Sequence, residues 1–411
     1  MTDVRTALVI GGGVAGPVAA MALRKAGIEA TVYEAYEGTA DGVGGGLGLA
    51  TNGLNALKII GVDDAVRAAG VPVSAMVIES WTGKRLAEFG VTAGPPVLYS
   101  VWRTDLYRTL YDQAAAQGIR IEHGKRLTRA TEHADGVTAS FADGTTASAD
   151  ILIGADGVRS TVRSLIDPTA PAPGYTGLLG FGGFVEADAG VGLPSTSGAM
   201  HMCFGKKAFF GYLVEPSGRI GWFANLPSKQ QLTVEEANAV GGVEWLRQLT
   251  DAFAGDRTPA RAILDGVAPE RMVIVGGLEI MRSAPVWSRG RMVIVGDAAH
   301  VPSNSSGQGA SMAVEGAVEL ARCLRDLPTL AEAFATYDRL RRPRIDRIIA
   351  GAERNNNHKA AGPVARILRD LTMPTMMKLL AKPERMAWQN DYLIDWDAPV
   401  QSVPTPALAG K

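Results

Sequence analysis

The sequence predicts an α/β protein in which a mainly parallel sheet is joined to a separate antiparallel sheet and followed by a helical tail. Two glycine-rich segments, at residues 11–16 and 296–309, each lie between a short apolar run and a pattern with helical spacing. Between them, residues 175–225 carry aromatic side chains in short alternating runs separated by glycine-rich turns, as hairpins do. A chain of 411 residues is long enough for about two domains.

The composition excludes several classes of function. With 41 basic and 42 acidic side chains the formal net charge is −1, so there is no positive field to attract nucleic acid or an anionic membrane. No apolar stretch approaches the ~20 residues that span a bilayer. Two cysteines, Cys203 and Cys323, and five histidines indicate neither a disulfide framework nor a catalytic metal site. Since the N-terminus lacks a signal-peptide pattern, we expect a cytoplasmic protein that binds small molecules.

The N-terminal glycines form a GxGxxG motif between an apolar strand at residues 7–10 and a helix-like pattern that ends near residue 25. In such a joint the first glycine makes a tight turn, the second lets a pyrophosphate approach, and the third lets helix and strand pack closely. A second strand, at residues 30–33, ends in an acid placed to bond an adenosine ribose. The predicted dinucleotide contacts are Gly11, Gly13, Val14, Ala15, Gly16 and Glu34.

Four segments together resemble the class A flavoprotein monooxygenases, the para-hydroxybenzoate hydroxylase family. They are the GxGxxG motif, "VWRTDLYRTL" at 101–110, "GADGVRSTVR" at 154–163 and "GDAAH" at 296–300, in that order and separation. The resemblance covers residues 5–350. It implies FAD as cofactor, NADPH or NADH as reductant and dioxygen as co-substrate. A flavin C4a-hydroperoxide would hydroxylate or epoxidise a hydrophobic, aromatic or polyketide-like small molecule.

The resemblance also implies cofactor contacts beyond the first motif. Arg103 would reach the cofactor, and Asp297 would accept hydrogen bonds from the ribitol hydroxyls, with a turn cap as the alternative role. The backbone at the start of the helix after residue 308 would approach the flavin ring. The further contacts implied here are Gly46, Leu127, Gly296, Gly307, Gly309 and Ala310.

The "GADGVRS" turn has two readings. Asp156 would hold backbone amides there, and Arg159 would hold a phosphate or that aspartate. A purely architectural turn is the alternative.

The family's fold implies a Rossmann-like FAD-binding domain, an antiparallel sheet that roofs the substrate pocket, and a C-terminal helical tail. The expected bounds are 1–71, 98–168 and 275–355 for the FAD-binding domain, 72–97 and 169–274 for the substrate domain, and 356–411 for the tail.

Aromatic substrates suit apolar pockets with a few polar groups. Candidate lining residues, for each of which ordinary sheet packing is the favoured alternative, are His201, Phe204, Phe209, Tyr212, Trp222 and Asn225. His201 is the candidate base among them, since histidine titrates near neutral pH.

Two positions depart from the family pattern. Family members carry proline four residues after the histidine of "GDAAH", whereas this chain has Asn304 there and its proline at Pro302. Gly316 stands where an acid usually follows Glu315. Asn304 is therefore a candidate catalytic residue, because its amide adds a donor and an acceptor near the reacting edge of the flavin. The alternatives are a non-oxygenating reaction on the same fold, or a binding protein whose flavin only reports redox state.

Three arginines late in the chain, Arg341, Arg342 and Arg344, are expected to form a solvated helical face. His300 is expected to orient its loop rather than to transfer protons. The sequence is compatible with a monomer or a homodimer.

Overall fold

The computed structural model describes residues 2–38, 45–91, 95–359, 362–380 and 388–401. Of the predicted tail, residues 360–361, 381–387 and 402–411 lie outside this set. No helix within the described ranges combines the length and the apolar character needed to cross a membrane.

The first sheet has six strands, of which all but one edge strand are parallel. Its members are short, apolar and β-branched, as expected for strands that are covered on both faces. In the order of the sheet they are β18 (Ser288–Arg289), β19 (Met292–Ile294), β12 (Ile151–Gly154), β1 (Thr6–Ile10), β2 (Glu29–Tyr33) and β8 (Arg120–Glu122). Ile10 pairs with both Tyr33 and Gly154, so the carboxyl ends of the three central strands are level. This edge carries the loops that form the candidate site.

Helices cover this parallel sheet and form one apolar core with it. They are α1 (Ala15–Lys25), α2 (Thr51–Ile59), α3 (Asp63–Ala68), α4 (Arg103–Ala116), α5 (Thr161–Ile166), α9 (Gly309–Asp326) and α10 (Leu330–Lys359). Residues 15–23 of α1 are all buried, because α1 packs against both β2 and α9. The predicted Rossmann-like arrangement is confirmed.

Two small antiparallel sheets flank this core. One has the order β3 (Gly46–Ala50), β7 (Leu98–Trp102) and β4 (Val71–Val73), and the other β11 (Thr146–Ala149), β10 (Val137–Phe141) and β9 (Leu127–Glu132). The first places Trp102, the residue before α4, opposite Gly46.

The predicted antiparallel sheet is also confirmed, with seven strands and a single parallel pair between β14 and β5. Its order is β17 (Val273–Ile280), β13 (Gly174–Val185), β16 (Ile220–Pro227), β15 (Phe209–Val214), β14 (Ala199–Phe204), β5 (Ala75–Ser80) and β6 (Arg85–Gly90). One face packs on α7 (Gly242–Phe253) and α8 (Ala260–Asp265), with α6 (Val234–Val240) beside β17. The domain boundary expected at residue 275 falls inside β17.

The tail takes two separate paths. The helix α11 (Pro363–Leu380) packs against β6 of the seven-stranded sheet. Residues 388–401 instead run back along α9, where Arg322 donates to the carbonyl of Ala398 at 2.9 Å and Arg325 to that of Trp396 at 2.8 Å. The tail therefore contacts both parts of the molecule.

Candidate cofactor and active site

The turn between β1 and α1 has room for a ligand at only one of its three motif glycines. Gly11 has a φ of +106°, and a Cβ there would overlap the carbonyl of Ala155. A Cβ at Gly16 would overlap the carbonyl of Gly11, so this position holds helix against strand. At Gly13 the nearest atom to an added Cβ is the Tyr107 hydroxyl, at 3.7 Å. That open side is where the motif admits a pyrophosphate.

Glu34 lies beside this turn at the end of β2. Its carboxylate accepts hydrogen bonds from the backbone N–H of Gly12 at 2.5 Å and of Tyr36 at 2.9 Å. Helix α1 has no side-chain N-cap hydrogen bond, and Val14 and Ala15 lie at its start. Its first N–H groups can therefore bind an anion, as helix N-termini do.

Gly296, in the second glycine motif, packs against the first residue of α1, which follows the first motif. Gly296 has a φ of +60°, and a Cβ on it would lie 3.1 Å from the Cβ of Ala15 and 3.2 Å from that of Ala313. The left-handed backbone and the close approach of α1 and α9 both favour glycine at this position. The contact places the next residue, Asp297, near the N-terminus of α1.

Charged and phenolic groups surround Asp297. Burial raises the pKa of its carboxyl group to about 6, although the positive charge of Arg103 opposes this increase. The pKa of Tyr107 is raised by burial and by the charges of Asp297 and Glu34, and is lowered by Arg103. Tyr107 is thus influenced by all three charges, which places Glu34, Arg103 and Asp297 in one neighbourhood.

The loop before α9 lies close to strand β3. Asn304 is exposed at the start of a short 3₁₀ turn, and α9 begins at Gly309. Strand β3 lies alongside, because the backbone N–H of Ala50 donates to Ser311 Oγ at 3.0 Å. A Cβ on Gly48, two residues from Gly46, would lie 3.9 Å from the carbonyl oxygen of Gly307. Gly46, Gly307, Gly309 and Ala310 are thus on neighbouring segments.

The "GADGVRS" turn is held by Asp156, whose carboxylate accepts from Ser160 Oγ at 2.5 Å and from the N–H of Val162 at 3.0 Å. Burial raises the pKa of this carboxyl group. Arg159 does not bond Asp156; its side chain is 71% exposed and its Nη2 lies 3.6 Å from Glu279 Oε1. These contacts are of the kind expected from the second interpretation, in which the turn has an architectural role.

Sequence reasoning missed Arg163 in the same motif. Its guanidinium donates to the carbonyls of Ala298 at 3.1 Å and Val158 at 2.7 Å, which ties this turn to the "GDAAH" loop. The second arginine of "RSTVR" was the available signal. Leu127, a predicted cofactor contact, lies at the start of β9 with its side chain in the core, and β-ladder pairing places it opposite Phe141.

The six candidate substrate residues divide between the two faces of the seven-stranded sheet. Cross-strand pairs share a face, and His201 pairs with Tyr212, which pairs with Trp222. Tyr212 and Trp222 belong to the core under α7 and α8. On that face His201 Nδ1 lies 3.3 Å from Glu79 Oε1, and its ring stacks on Tyr212. The structure therefore does not bring these three residues to the side that faces the cofactor site.

The opposite face, which we call the inner face, carries Phe204, Phe209 and Asn225. Phe209 pairs with both Phe204 and Asn225. The same face contacts the parallel-sheet domain through Phe184, whose ring centroid lies 3.9 Å from that of Trp102, the residue before Arg103. The inner face thus adjoins the segment that presents Arg103.

A second residue that sequence reasoning missed, Lys359, ends α10 on this inner face. Its Nζ donates to Asn225 Oδ1 at 2.7 Å and lies 4.1 Å from the centroid of the Phe209 ring. No local pattern in the sequence marks this lysine, because the contact joins residues 134 positions apart.

The prediction of a solvated arginine face was wrong. Arg341 is fully buried and Arg344 nearly so, because both bind the buried carboxylate of Glu315, at 2.5 and 2.9 Å. Asn52 Nδ2 donates to the same carboxylate at 2.6 Å. Arg342 is partly buried and binds Asp338. The burial of these arginines could not be predicted from the sequence of α10, because a buried acid on α9 can be recognised only when the two helices are packed together.

His300 lies fully buried near this cluster. Burial lowers the pKa of its imidazole to about 3, and the charge of Arg341 acts in the same direction. The ring is therefore neutral at physiological pH and has no proton to donate to a reaction as imidazolium.

The comparison with known families agrees with this site. Residues 3–230 and 273–352 match the FAD binding domain family, and the chain belongs to it. The predicted membership among FAD-dependent hydroxylases is thereby confirmed, and the protein is an FAD-dependent oxidoreductase.

Three relatives illustrate the range of the family. The chain is 30% identical over 359 residues to the aurachin C monooxygenase/isomerase of Stigmatella aurantiaca, with 85% of this chain and 88% of the relative covered. It is 32% identical over 390 residues to a 3-amino-4-hydroxybenzoate 2-monooxygenase of Streptomyces platensis, with 90% and 93% covered. A Klebsiella pneumoniae protein solved with FAD and uric acid is 26% identical, with a TM-score of 0.79 over 90% of this chain and 93% of that one.

Proposed function

We propose that this protein is a monooxygenase that uses FAD, NADPH or NADH, and dioxygen to hydroxylate or epoxidise a planar aromatic or polyketide-like molecule. The proposal rests on one observation. Near the inner face of the antiparallel sheet lie four predicted cofactor contacts: Gly13, Glu34, Arg103 and Asp297. These contacts support a dinucleotide site beside an apolar, aromatic surface.

The donors and acceptors around the parallel sheet fit FAD. The open side of Gly13 and the uncapped N-terminus of α1 suit the pyrophosphate, and Glu34 suits the adenosine ribose. Asp297 offers a carboxylate to the ribitol hydroxyls, with Arg103 nearby. The N–H groups of Gly309 and Ala310 at the start of α9 favour negative charge on the bound ring. When bound, FAD supplies the transfer of electrons from the nicotinamide cofactor to dioxygen.

The proposed substrate surface consists of Phe204, Phe209 and Asn225. One relative is named for 3-amino-4-hydroxybenzoate, and one related structure contains uric acid. Both molecules are planar. The aromatic rings of the inner face suit such a molecule. His201, Tyr212 and Trp222 pack on the other face and are not part of this proposed surface.

Asn304 is the proposed polar contact to the reacting molecule. Its side chain is exposed at the turn that precedes Gly307 and α9. An amide there can donate one hydrogen bond and accept another, whereas proline offers neither from its side chain. Its role would be to hold the substrate in a reactive orientation and to keep water from that edge.

Isotopically labelled O₂ tests the proposal. The FAD-loaded protein is given NADPH or NADH with 3-amino-4-hydroxybenzoate or uric acid, and products are analysed by mass spectrometry. We expect one labelled oxygen atom in a product, and NAD(P)H consumption that the same compound stimulates. The variant Asn304→Ala should release a larger fraction of the reduced oxygen as hydrogen peroxide, while Asn238→Ala, an exposed amide on α6, should behave as wild type.

Conversion of a compound without label would instead indicate a non-oxygenating enzyme. Consumption of NAD(P)H with all oxygen recovered as peroxide, whatever compound is added, would also contradict the proposal.

A further inference from the structure

Lys359 occupies an unusual position for an ammonium group. It lies at the C-terminal end of α10, which crosses from the parallel-sheet core to the inner face of the antiparallel sheet. There its Nζ contacts Asn225, which is 2% exposed, and lies 4.1 Å from the centre of the Phe209 ring. An amide and an aromatic ring therefore adjoin the ammonium group of this partly buried residue.

The charge of Lys359 lacks a counter-ion among the described residues. Burial is the sole cause of the decrease in its pKa, to about 7, and no acidic group contributes. Lys125, by contrast, pairs with the carboxylate of Asp143 at 2.6 Å. Burying an ammonium without an anion is costly, so such a group usually has a binding role.

Asn225 fixes the direction of this ammonium. Its Oδ1 accepts from Lys359, and its Nδ2 donates to the carbonyl of Ala224. The amide is therefore held from both ends in a buried strand. Lysine has three N–H donors, and the bond to Asn225 uses one of them, so two remain for a ligand.

Aromatic rings continue the surface beside the ammonium. Phe204 and Phe209 lie with their ring centroids 5.0 Å apart, and the guanidinium of Arg369 from α11 lies 4.5 Å from the Phe204 centroid. Arg369 already binds Asp370, at 2.7 Å. Lys359 is thus the unpaired cation on this aromatic surface within the described ranges.

We propose that Lys359, oriented by Asn225, binds the negatively charged group of the substrate, a carboxylate or an ionised phenol or enol of a planar ring. Phe204 and Phe209 contact the ring itself. The inference rests on the proposed function, since it assigns a substrate class to the same site. A bound anion supplies the missing counter-charge, which makes a charged ligand bind more tightly than a neutral one of the same shape.

Matched pairs of probes test this inference by binding rather than by turnover. The probes are 4-hydroxybenzoate with 4-hydroxybenzamide, and 3-amino-4-hydroxybenzoate with its amide, titrated against the oxidised FAD-loaded protein while the flavin absorbance is followed. We expect each carboxylate to bind wild type more tightly than its amide. In Lys359→Gln the affinity for the carboxylates should fall about 10- to 100-fold, as for loss of a hydrogen bond to a charged group, while the affinity for the amides should change little.

Two further variants separate charge from architecture. Lys359→Arg keeps the charge and should retain a preference for the carboxylates. Lys207→Gln removes an exposed lysine from the β14–β15 hairpin, which carries Phe204 and Phe209. This variant should bind both members of each pair as wild type does. FAD content and thermal unfolding of each variant show whether it is folded.

Equal affinity of wild type for the two members of each pair, including no detectable binding of either, would overturn the inference. So would a loss in Lys359→Gln that is the same for acid and amide, because a purely structural clamp between α10 and the sheet would act on both. Labelled oxygen in a product would in these cases still support the monooxygenase. Conversely, a charge preference that depends on Lys359 without any incorporation of oxygen would contradict the proposed reaction and not the anion site.

Discussion

Gly13 and Gly16 differ in what surrounds them, although both belong to one motif. The space beside Gly13 is open to 3.7 Å, whereas a Cβ at Gly16 would meet the carbonyl of Gly11. A methyl group at position 13 would therefore occupy the space proposed for the ligand. At position 16 it would overlap backbone atoms. The two substitutions separate ligand binding from folding.

We expect Gly13→Ala to leave the thermal unfolding of the FAD-free protein close to wild type and to weaken FAD binding by at least about tenfold, since a side chain keeps the pyrophosphate from the backbone. Flavin fluorescence titration and thermal unfolding measure the two quantities. Gly16→Ala is the matched control, and it should lower both stability and FAD binding. Wild-type FAD affinity in Gly13→Ala would contradict the placement of the pyrophosphate.

Asp297 gives the FAD-free protein a dependence on pH. Its pKa in the folded protein is raised from 3.8 to about 6, so the folded state binds the proton more tightly than the unfolded state. The contribution of this group to stability is present below pH ~4 and is lost as the pH rises through about 6. Asparagine, which does not ionise, has no such loss.

The variant Asp297→Asn should therefore gain in unfolding temperature relative to wild type between pH 5 and pH 8, both proteins being free of FAD. The exposed Asp188→Asn should show no such trend. A constant difference between Asp297→Asn and wild type over this range would show that burial does not raise this pKa.

At the scale of elements, the packing of α9 on α10 depends on a buried ion cluster. The carboxylate of Glu315 on α9 binds two arginines of α10, and it also accepts from Asn52 of α2. These contacts lower the pKa of Glu315 even though burial opposes this. The backbone carbonyls of Trp388 and Gln389 complete the cluster by accepting from Arg344. The cluster thus connects α2, α9, α10 and the tail.

Glu315→Gln should destabilise the protein by about 3–5 kcal/mol, because it leaves buried guanidinium groups without a counter-charge. The shift in urea midpoint and in thermal unfolding measures this, with the exposed Glu235→Gln on α6 as control. A change within the range of the control would mean that the arginines are neutralised by other groups.

Prediction from sequence succeeded for elements whose signal is local. The strands at residues 7–10 and 30–33 and the helices after each glycine motif could be predicted, because apolar runs and helical spacing are patterns of consecutive residues. The arginines of α10 could not be placed, since their burial depends on Glu315, far away in the sequence. The turn at Asp156 was placed, but its link through Arg163 to Ala298 was not.

At the scale of the whole molecule, α10 and the tail join the two sheets. Helix α10 begins in the core of the parallel sheet and ends at Asn225 of the antiparallel sheet. Helix α11 then packs on β6, and Arg366 donates to the carbonyl of Lys206 in the turn between β14 and β15. Residues 388–401 return to α9. The inner face is therefore bordered by α10 and α11, which come from the C-terminal part of the chain.

The sequence alone determined the class of fold and the position of the dinucleotide motif through short motifs and local periodicity, and the resemblance of four segments to a known family implied FAD as the cofactor. Only the tertiary structure decided which face of the antiparallel sheet adjoins the cofactor site. Strand alternation puts Phe209 and His201 on opposite faces, but packing on α7 and α8 determines which face is covered. The placement of Lys359 beside Asn225 likewise required the packed chain, since it brings together two residues that no local pattern connects.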